Sequence, residues 1–129
     1  MNTSAGKIVI ERVLTQSDFD LFAKLSGDHN PIHVDPGFSA QTRFGRTVAH
    51  GLLLNTILRG LLEQLVPGGR QVSQDLKFPA PTYADELMRF TVAIQSDDGQ
   101  TVTATMSSER ARDDVITCEG FTTIRRGSV

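Results

Sequence analysis

The sequence predicts an α+β fold in which an antiparallel sheet packs against one buried helix. Three observations predict it. The stretch from His50 to Val66 carries apolar residues around most of a helix circumference, a pattern that asks for burial on nearly all sides. Four strand candidates follow it, separated by short turn-forming segments, so chain neighbours pair as hairpins and the sheet is antiparallel. One β-branched segment precedes the helices, and a sheet with a helix on one face is the packing solution for that order.

Composition sets the outer bounds. A chain of 129 residues, 39% hydrophobic and 22% charged, fits one domain with a core of its own and not two. The net charge of −2, from 13 Lys+Arg and 15 Asp+Glu, comes with no run of basic residues, which argues against a nucleic-acid partner. The polar start, Met1 to Gly6, lacks a basic region leading into an apolar stretch. The run Leu52-Leu53-Leu54 is far below the ~20 residues of a membrane span. These features lead us to expect a cytoplasmic protein without a membrane partner. Cys118 is the single cysteine, which excludes an internal disulfide and paired-cysteine zinc sites. Its strand context, with Ile116 on the same face, fits a buried structural thiol rather than a nucleophile.

The elements follow in order. Lys7 to Leu14 reads as a strand from its β-branched residues. Thr15 and Asp18 form a capping pattern ahead of Phe19, Phe22, Ala23 and Leu25 at helical spacing, and Gly27 closes that helix. Asp28 to Pro36 reads as a structured polar loop, because its prolines lack amide donors and push the residues before them out of helical dihedrals. Asp35-Pro36 then suits an N-cap and first helical position for a short helix toward Thr42. The long helix stops at Pro67-Gly68-Gly69. Gln71 to Phe78, Leu87 to Gln95, Thr101 to Arg110 and Val115 to Ile124 are the four later strands, and Asp98-Gly99 is a hairpin signal.

Chemistry concentrates between Asp28 and Gly51. A carboxylate and an imidazole on a proline-stiffened loop, Asp28 and His33, can hold one water and move its protons. The same residues also suit a solvated turn in which Asp28 caps an amide and the histidines face water. His29 and His33 stand four apart, but Pro31 between them breaks the helix that would align them on a metal, so no metal is expected. His50 and Gly51 open the long helix, whose free amides and positive dipole end can meet a ligand where glycine permits close approach. Gly51 also suits plain tight packing.

The residues Leu25-Ser26-Gly27-Asp28-His29-Asn30-Pro31-Ile32-His33-Val34-Asp35, then Ala40, Phe44 and Val48-Ala49-His50-Gly51, resemble the hydratase motif of the MaoC-like (R)-specific enoyl-CoA hydratase family. The resemblance runs from the first strand to the last. It implies the hotdog fold, a long central helix wrapped by antiparallel sheet, in a single domain over 1–129 that works as a homodimer. It implies reversible syn addition of water to trans-2-enoyl thioesters, without a cofactor, as part of fatty-acid metabolism. Asp28 and His33 carry over as the catalytic pair and Gly51 as the amide donor to the thioester carbonyl. Asn30 carries over as orienting the loop or the catalytic pair, and Asn30, His50, Thr56 and Gln74 as substrate-binding surroundings. The segment Phe78 to Asp85 departs from the family, being one residue short and having Ala84 where glycine is usual. That departure bears on pocket shape and not on the acid/base pair.

An acyl-CoA thioesterase of the same fold is the rival reading, since fold does not fix chemistry. Its usual helix carboxylate is missing here, because the first acidic residue on the long helix is Glu63. A non-catalytic acyl-thioester-binding subunit is the third reading, and it has no need for both Asp28 and His33. The substrate's carrier is either CoA or acyl-carrier protein, with Arg43, Arg46, Arg59, Arg70 and Lys77 as candidate contacts.

Overall fold

The computed structural model describes residues 2–4 and 6–127. In chain order the elements are β1 (Asn2–Ser4), β2 (Lys7–Val13), α1 (Gln16–Ser26), α2 (Pro31–Val34), α3 (Pro36–Ser39), α4 (Gly51–Leu65), β3 (Arg70–Lys77), β4 (Leu87–Asp97), β5 (Thr101–Arg110) and β6 (Ile116–Arg125). The strands form one antiparallel sheet in the order β1-β2-β4-β5-β6-β3. β4, β5 and β6 follow one another as hairpins, whereas β3 leaves α4 and pairs at the far edge beside β6. The segment from Phe78 to Glu86 then carries the chain back across the sheet.

The expected elements are present, with three differences. A short strand, β1, pairs with β2 in a stretch whose sequence reads only as polar. The Asp28–Pro36 loop contains a full turn of helix, α2, because Pro31 falls at its first position, where a missing amide donor costs nothing. The helix after Pro36 ends at Ser39 instead of Thr42.

Alternation of side chains builds the core. Met88, Phe90 and Val92 of β4 and Val102, Ala104 and Met106 of β5 are buried on one face, as a two-residue period requires. Leu54, Leu58, Leu61 and Leu62 of α4 pack into that face, and Phe19 and Ala23 of α1 are buried alongside. The helix is not enclosed on nearly all sides, as its sequence suggested, since Leu52 is 65% exposed. Val72 of the edge strand β3 and Phe78, just after it, are also exposed. Cys118 is buried, and burial pushes its thiol up to about 11.

Two local backbone features bear on the site. Thr117 is an extra residue in β6, since Ser108 pairs with Cys118 while Glu109 pairs with Ile116, and this bulge turns its hydroxyl inward to meet Ser108 at 2.7 Å. In the returning segment, the residue with positive φ is Asp85, at 67°. Aspartate tolerates that conformation better than most side chains. Ala84 in place of glycine therefore leaves the turn itself unstrained.

Candidate active site

The site is assembled by a relay of short polar caps. α1 ends at Gly27 in the left-handed region, φ 81°, which releases the chain toward α2. The Ser26 hydroxyl accepts from the Asp28 amide at 3.1 Å, Asp28 Oδ1 from the Asn30 amide at 3.2 Å, and Asn30 Oδ1 from the Ile32 amide at 3.2 Å. The first two bonds satisfy loop amides, and the third caps the start of α2. The outcome is a rigid turn that presents the Asp28 carboxylate to solvent and folds His33 inward. The solvated-turn reading thus holds for the capping role of Asp28 and fails for His33 and His50, which are 8% and 2% exposed.

His33 has a defined tautomer. Its Nδ1–H donates to the Val48 carbonyl at 2.8 Å, which leaves Nε2 as a bare acceptor facing Asp28. Nε2 and Asp28 Oδ2 are 3.9 Å apart, too far for a direct hydrogen bond and right for one bridging water. The backbone around His33 is fixed as well. Gln16 Nε2–H donates to the His33 carbonyl at 2.8 Å, and the Thr47 hydroxyl donates to Gln16 Oε1 at 2.6 Å. Gln16, Thr47 and Val48 are not foreseeable from sequence. Val48 acts through its carbonyl, which leaves no side-chain signal, and Gln16 belongs to a helix whose capping pattern explains it fully.

His50 joins the loop to the long helix. Its Nε2–H donates to the Asp28 carbonyl at 3.0 Å, and its ring stacks on His33 at a centroid distance of 3.8 Å and 24° between planes. Phe22 meets the same ring edge-on at 4.9 Å. Burial pushes the His50 pKa below the ordinary imidazole value, and the neighbouring His33 adds to that effect against the opposing pull of the Asp28 carbonyl. His50 therefore stands neutral, with Nδ1 buried and unpartnered. Asp28, His33 and His50 bring possible metal-ligand atoms within 4.8 Å of one another. Nearly parallel stacked rings hold their lone pairs in separate planes, however, so the two imidazoles do not converge on one ion. His29, the other half of the spacing considered from sequence, is exposed and outside this cluster.

Gly51 begins α4, where the first amides have no partner within the helix and the dipole is positive. A Cβ on this residue would lie 3.1 Å from the Phe78 ring, so glycine allows Phe78 to cover the helix start. A cavity of about 570 Å³ opens here, lined by Gly51, Leu54, Phe78, Thr82, Thr117 and Arg43 among others.

The remaining predicted site residues do not gather at this place. Asn30 spends its side chain on the α2 cap. Thr56 is exposed, and its hydroxyl donates to the Leu52 carbonyl of its own helix at 2.8 Å. Gln74 is exposed on β3 and accepts from Gln71 at 3.0 Å. Of the predicted site residues Gly51 alone lines the cavity; Asp28 and His33 meet it through His50 and the start of α4, and Thr56 and Gln74 do not line it. Register explains Gln74: it faces the helix side of the edge strand, beyond the reach of α4 in a single chain.

A long helix against one antiparallel sheet, with the polar loop packed over the helix start, defines a hotdog-fold protein carrying a MaoC-type loop. The chain belongs to the MaoC like domain family, whose model matches residues 5–117. It is 43% identical over 67 residues to the (R)-specific enoyl-CoA hydratase of Aeromonas caviae, a match covering 50% of each chain. The chain thus spans about half the length of that curated relative. It is 36% identical over 104 residues to 3-hydroxyacyl-thioester dehydratase Z of Mycobacterium tuberculosis, covering 74% of this chain and 69% of the other. The solved (R)-hydratase from A. caviae involved in PHA biosynthesis superposes with a TM-score of 0.87 at 27% identity, over 97% of this chain and 98% of that one.

Proposed function

We propose that the protein hydrates trans-2-enoyl thioesters to (R)-3-hydroxyacyl thioesters, and catalyses the reverse dehydration, as an (R)-specific hydro-lyase. The observation that carries this reading is the pair of bare acceptors, Asp28 Oδ2 and His33 Nε2, 3.9 Å apart beside the free amide end of α4. Between them they accept both hydrogens of one water, leaving its oxygen lone pairs free. One proton passes to the pair as the oxygen bonds to C3. The C2=C3 electron pair shifts toward the thioester oxygen, and a proton returns to C2 on the same face. The Gly51 amide stabilises the charge on that oxygen, an effect worth about 3 kcal/mol for a preorganised donor. His50 acts on the loop and on His33, through the Asp28 carbonyl and the stacked ring.

The same reading makes the chain one hydratase unit that dimerises through β3. An open edge strand with exposed apolar side chains is a surface that a second copy covers: β3 ends the sheet, and Leu52, Val72 and Phe78 are exposed. Among the described residues no helix is long and apolar enough to cross a membrane, and a lone buried cysteine agrees with a cytoplasmic setting.

The test is a series of trans-2-enoyl-CoA thioesters of increasing chain length, followed by loss of the conjugated enoyl absorbance with product chirality determined. Hydration to the (R)-alcohol is expected. Free CoA released without hydration would install the thioesterase reading instead, and (S)-product would remove the hydratase assignment. The structure favours hydration, since Glu63 stands near the far end of α4, engaged with Arg59 at 3.4 Å and with the Gly68 amide at 2.9 Å.

A further inference from the structure

A thioester of CoA or of a carrier protein brings phosphate to the site, and five cations stand out in the sequence as contacts for it. The structure separates them. Arg46 is bound to the Glu86 carboxylate at 2.9 Å and to the Ala84 carbonyl at 2.7 Å. Arg59 is engaged with Glu63 at 3.4 Å and reaches the Gly69 carbonyl at 3.5 Å. Arg70 stands beyond the far end of α4, in a separate cleft with Arg125 and Arg126. Lys77 lies on β3 outside the lining of the cavity at Gly51.

Arg43 is different. It lines the cavity that contains Gly51, and among the described residues no carboxylate lies within ion-pair distance of it, in contrast to Arg46 three residues on. Its guanidinium rests over the ring of Phe44, 4.8 Å from the centroid, which orients the planar group without consuming its donors. The cavity lining contains no acidic residue.

The exposure gradient gives the cavity a direction. Val48, Leu54, Thr82 and Thr117 are buried and form its floor, while Arg43, Phe78 and Pro79 are exposed and form its rim. A thioester with its carbonyl at the Gly51 amide puts its apolar acyl end over the floor, and its charged carrier arm has to leave across the rim. Arg43 is the cation on that path.

We propose that Arg43 recognises a phosphate of the substrate's carrier arm and so makes the enzyme selective for phosphate-bearing thioesters. This rests on the hydratase reading above and names the part of the substrate which that reading left open. The shared chemistry is a phosphate group, supplied either by the nucleotide end of CoA or by the phosphopantetheine arm that CoA and carrier protein have in common.

The experiment compares one short trans-2-enoyl group on CoA, on 4′-phosphopantetheine and on N-acetylcysteamine, which carries no phosphate. Wild type, Arg43→Gln and Arg12→Gln are assayed, Arg12 being an exposed cation of β2 outside the cavity. Arg43→Gln is expected to raise KM about tenfold on the phosphate-bearing thioesters, the loss of one charge-assisted contact. It leaves kcat, and all constants for the N-acetylcysteamine thioester, unchanged, and Arg12→Gln changes none of them. A KM effect on CoA alone assigns the contact to the nucleotide end, and an equal effect on phosphopantetheine assigns it to the arm. A shift that is the same on all three thioesters, or absent from all, overturns the proposal. Calorimetric binding of free CoA supplies an arm that does not depend on turnover: affinity about tenfold weaker in Arg43→Gln supports the proposal, and equal affinity refutes it. A wild type that binds CoA and hydrates none of the three thioesters would instead count against the hydratase reading.

Discussion

The segment from Ser26 to His50 and the face shared by α4, β4 and β5 are held by opposite means. The sheet face is held by area: Met88, Phe90, Val92, Leu58 and Leu62 are fully buried and make no polar demand. The segment is held by single hydrogen bonds, from the Ser26, Asp28 and Asn30 caps to the Gln16 contact on the His33 carbonyl. Apolar packing is non-directional and tolerates small changes of shape. A hydrogen-bonded turn fixes direction, which the proposed water-activating pair needs and which area cannot supply. The difference assigns chemistry to one region and stability to the other, and each assignment can be broken separately.

The largest expected effect comes from the directional region. Asp28→Asn keeps an Oδ1 to accept from the Asn30 amide, and His33→Asn keeps an amide nitrogen at the position of Nδ1, able to donate to the Val48 carbonyl. Both variants should therefore fold with near-normal melting temperature while losing about a thousandfold or more in kcat, the scale set by removal of an acid/base group. Near-normal turnover by either folded variant would show that the 3.9 Å gap does no chemistry.

A paired measurement sharpens the contrast at intermediate size. Leu58→Ala in α4 should cost about 2–5 kcal/mol of stability, since it opens a cavity at a fully buried position, and should leave kcat per folded molecule nearly unchanged. Gln16→Ala removes the donor to the His33 carbonyl and the acceptor of the Thr47 hydroxyl. It should cost about 1–3 kcal/mol, the usual range for such losses, and should lower kcat through displacement of His33. Denaturant titration and steady-state kinetics on both variants give the answer. Equal effects of the two on kcat would erase the division between the regions.

The two regions are not equally legible in the sequence. Strand alternation and the leucine-rich helix make the sheet and α4 readable, because a period of two or of 3.6 residues is written in side chains. The motif from Ser26 to Gly51 locates the loop, but its internal construction is hidden. α2 reads as irregular because Pro31 breaks helices from within, whereas here it begins one. The tautomer of His33 depends on the Val48 carbonyl, a backbone group common to all residues. Thr56 and Gln74 are placed at the site by the family's pattern, and the single chain turns both toward solvent. A family pattern places a residue by its position in the chain, whereas what its side chain touches depends on register and on the packing around it.

The smallest expected effect lies where the two regions join, at His50. Burial lowers its pKa from the ordinary 6.5, so at pH values between the lowered value and 6.5 the unfolded chain binds more protons than the folded one. Stability must then rise with pH across that window and be lost as the pH falls through it. Protonation would add a proton at Nδ1, where no acceptor waits, and a charge 3.8 Å from the His33 ring, with His29 opposing it and Asp28 favouring it. The chain has three histidines, so the wild-type profile alone does not isolate His50. His50→Gln does, because a glutamine amide can still donate to the Asp28 carbonyl and carries no titration. Melting temperatures at pH 5 and pH 7 should differ less in the variant than in wild type. Identical differences would mean that the stacked imidazole pays no penalty for its burial, and that the loop and the helix are joined by something other than a neutral His50.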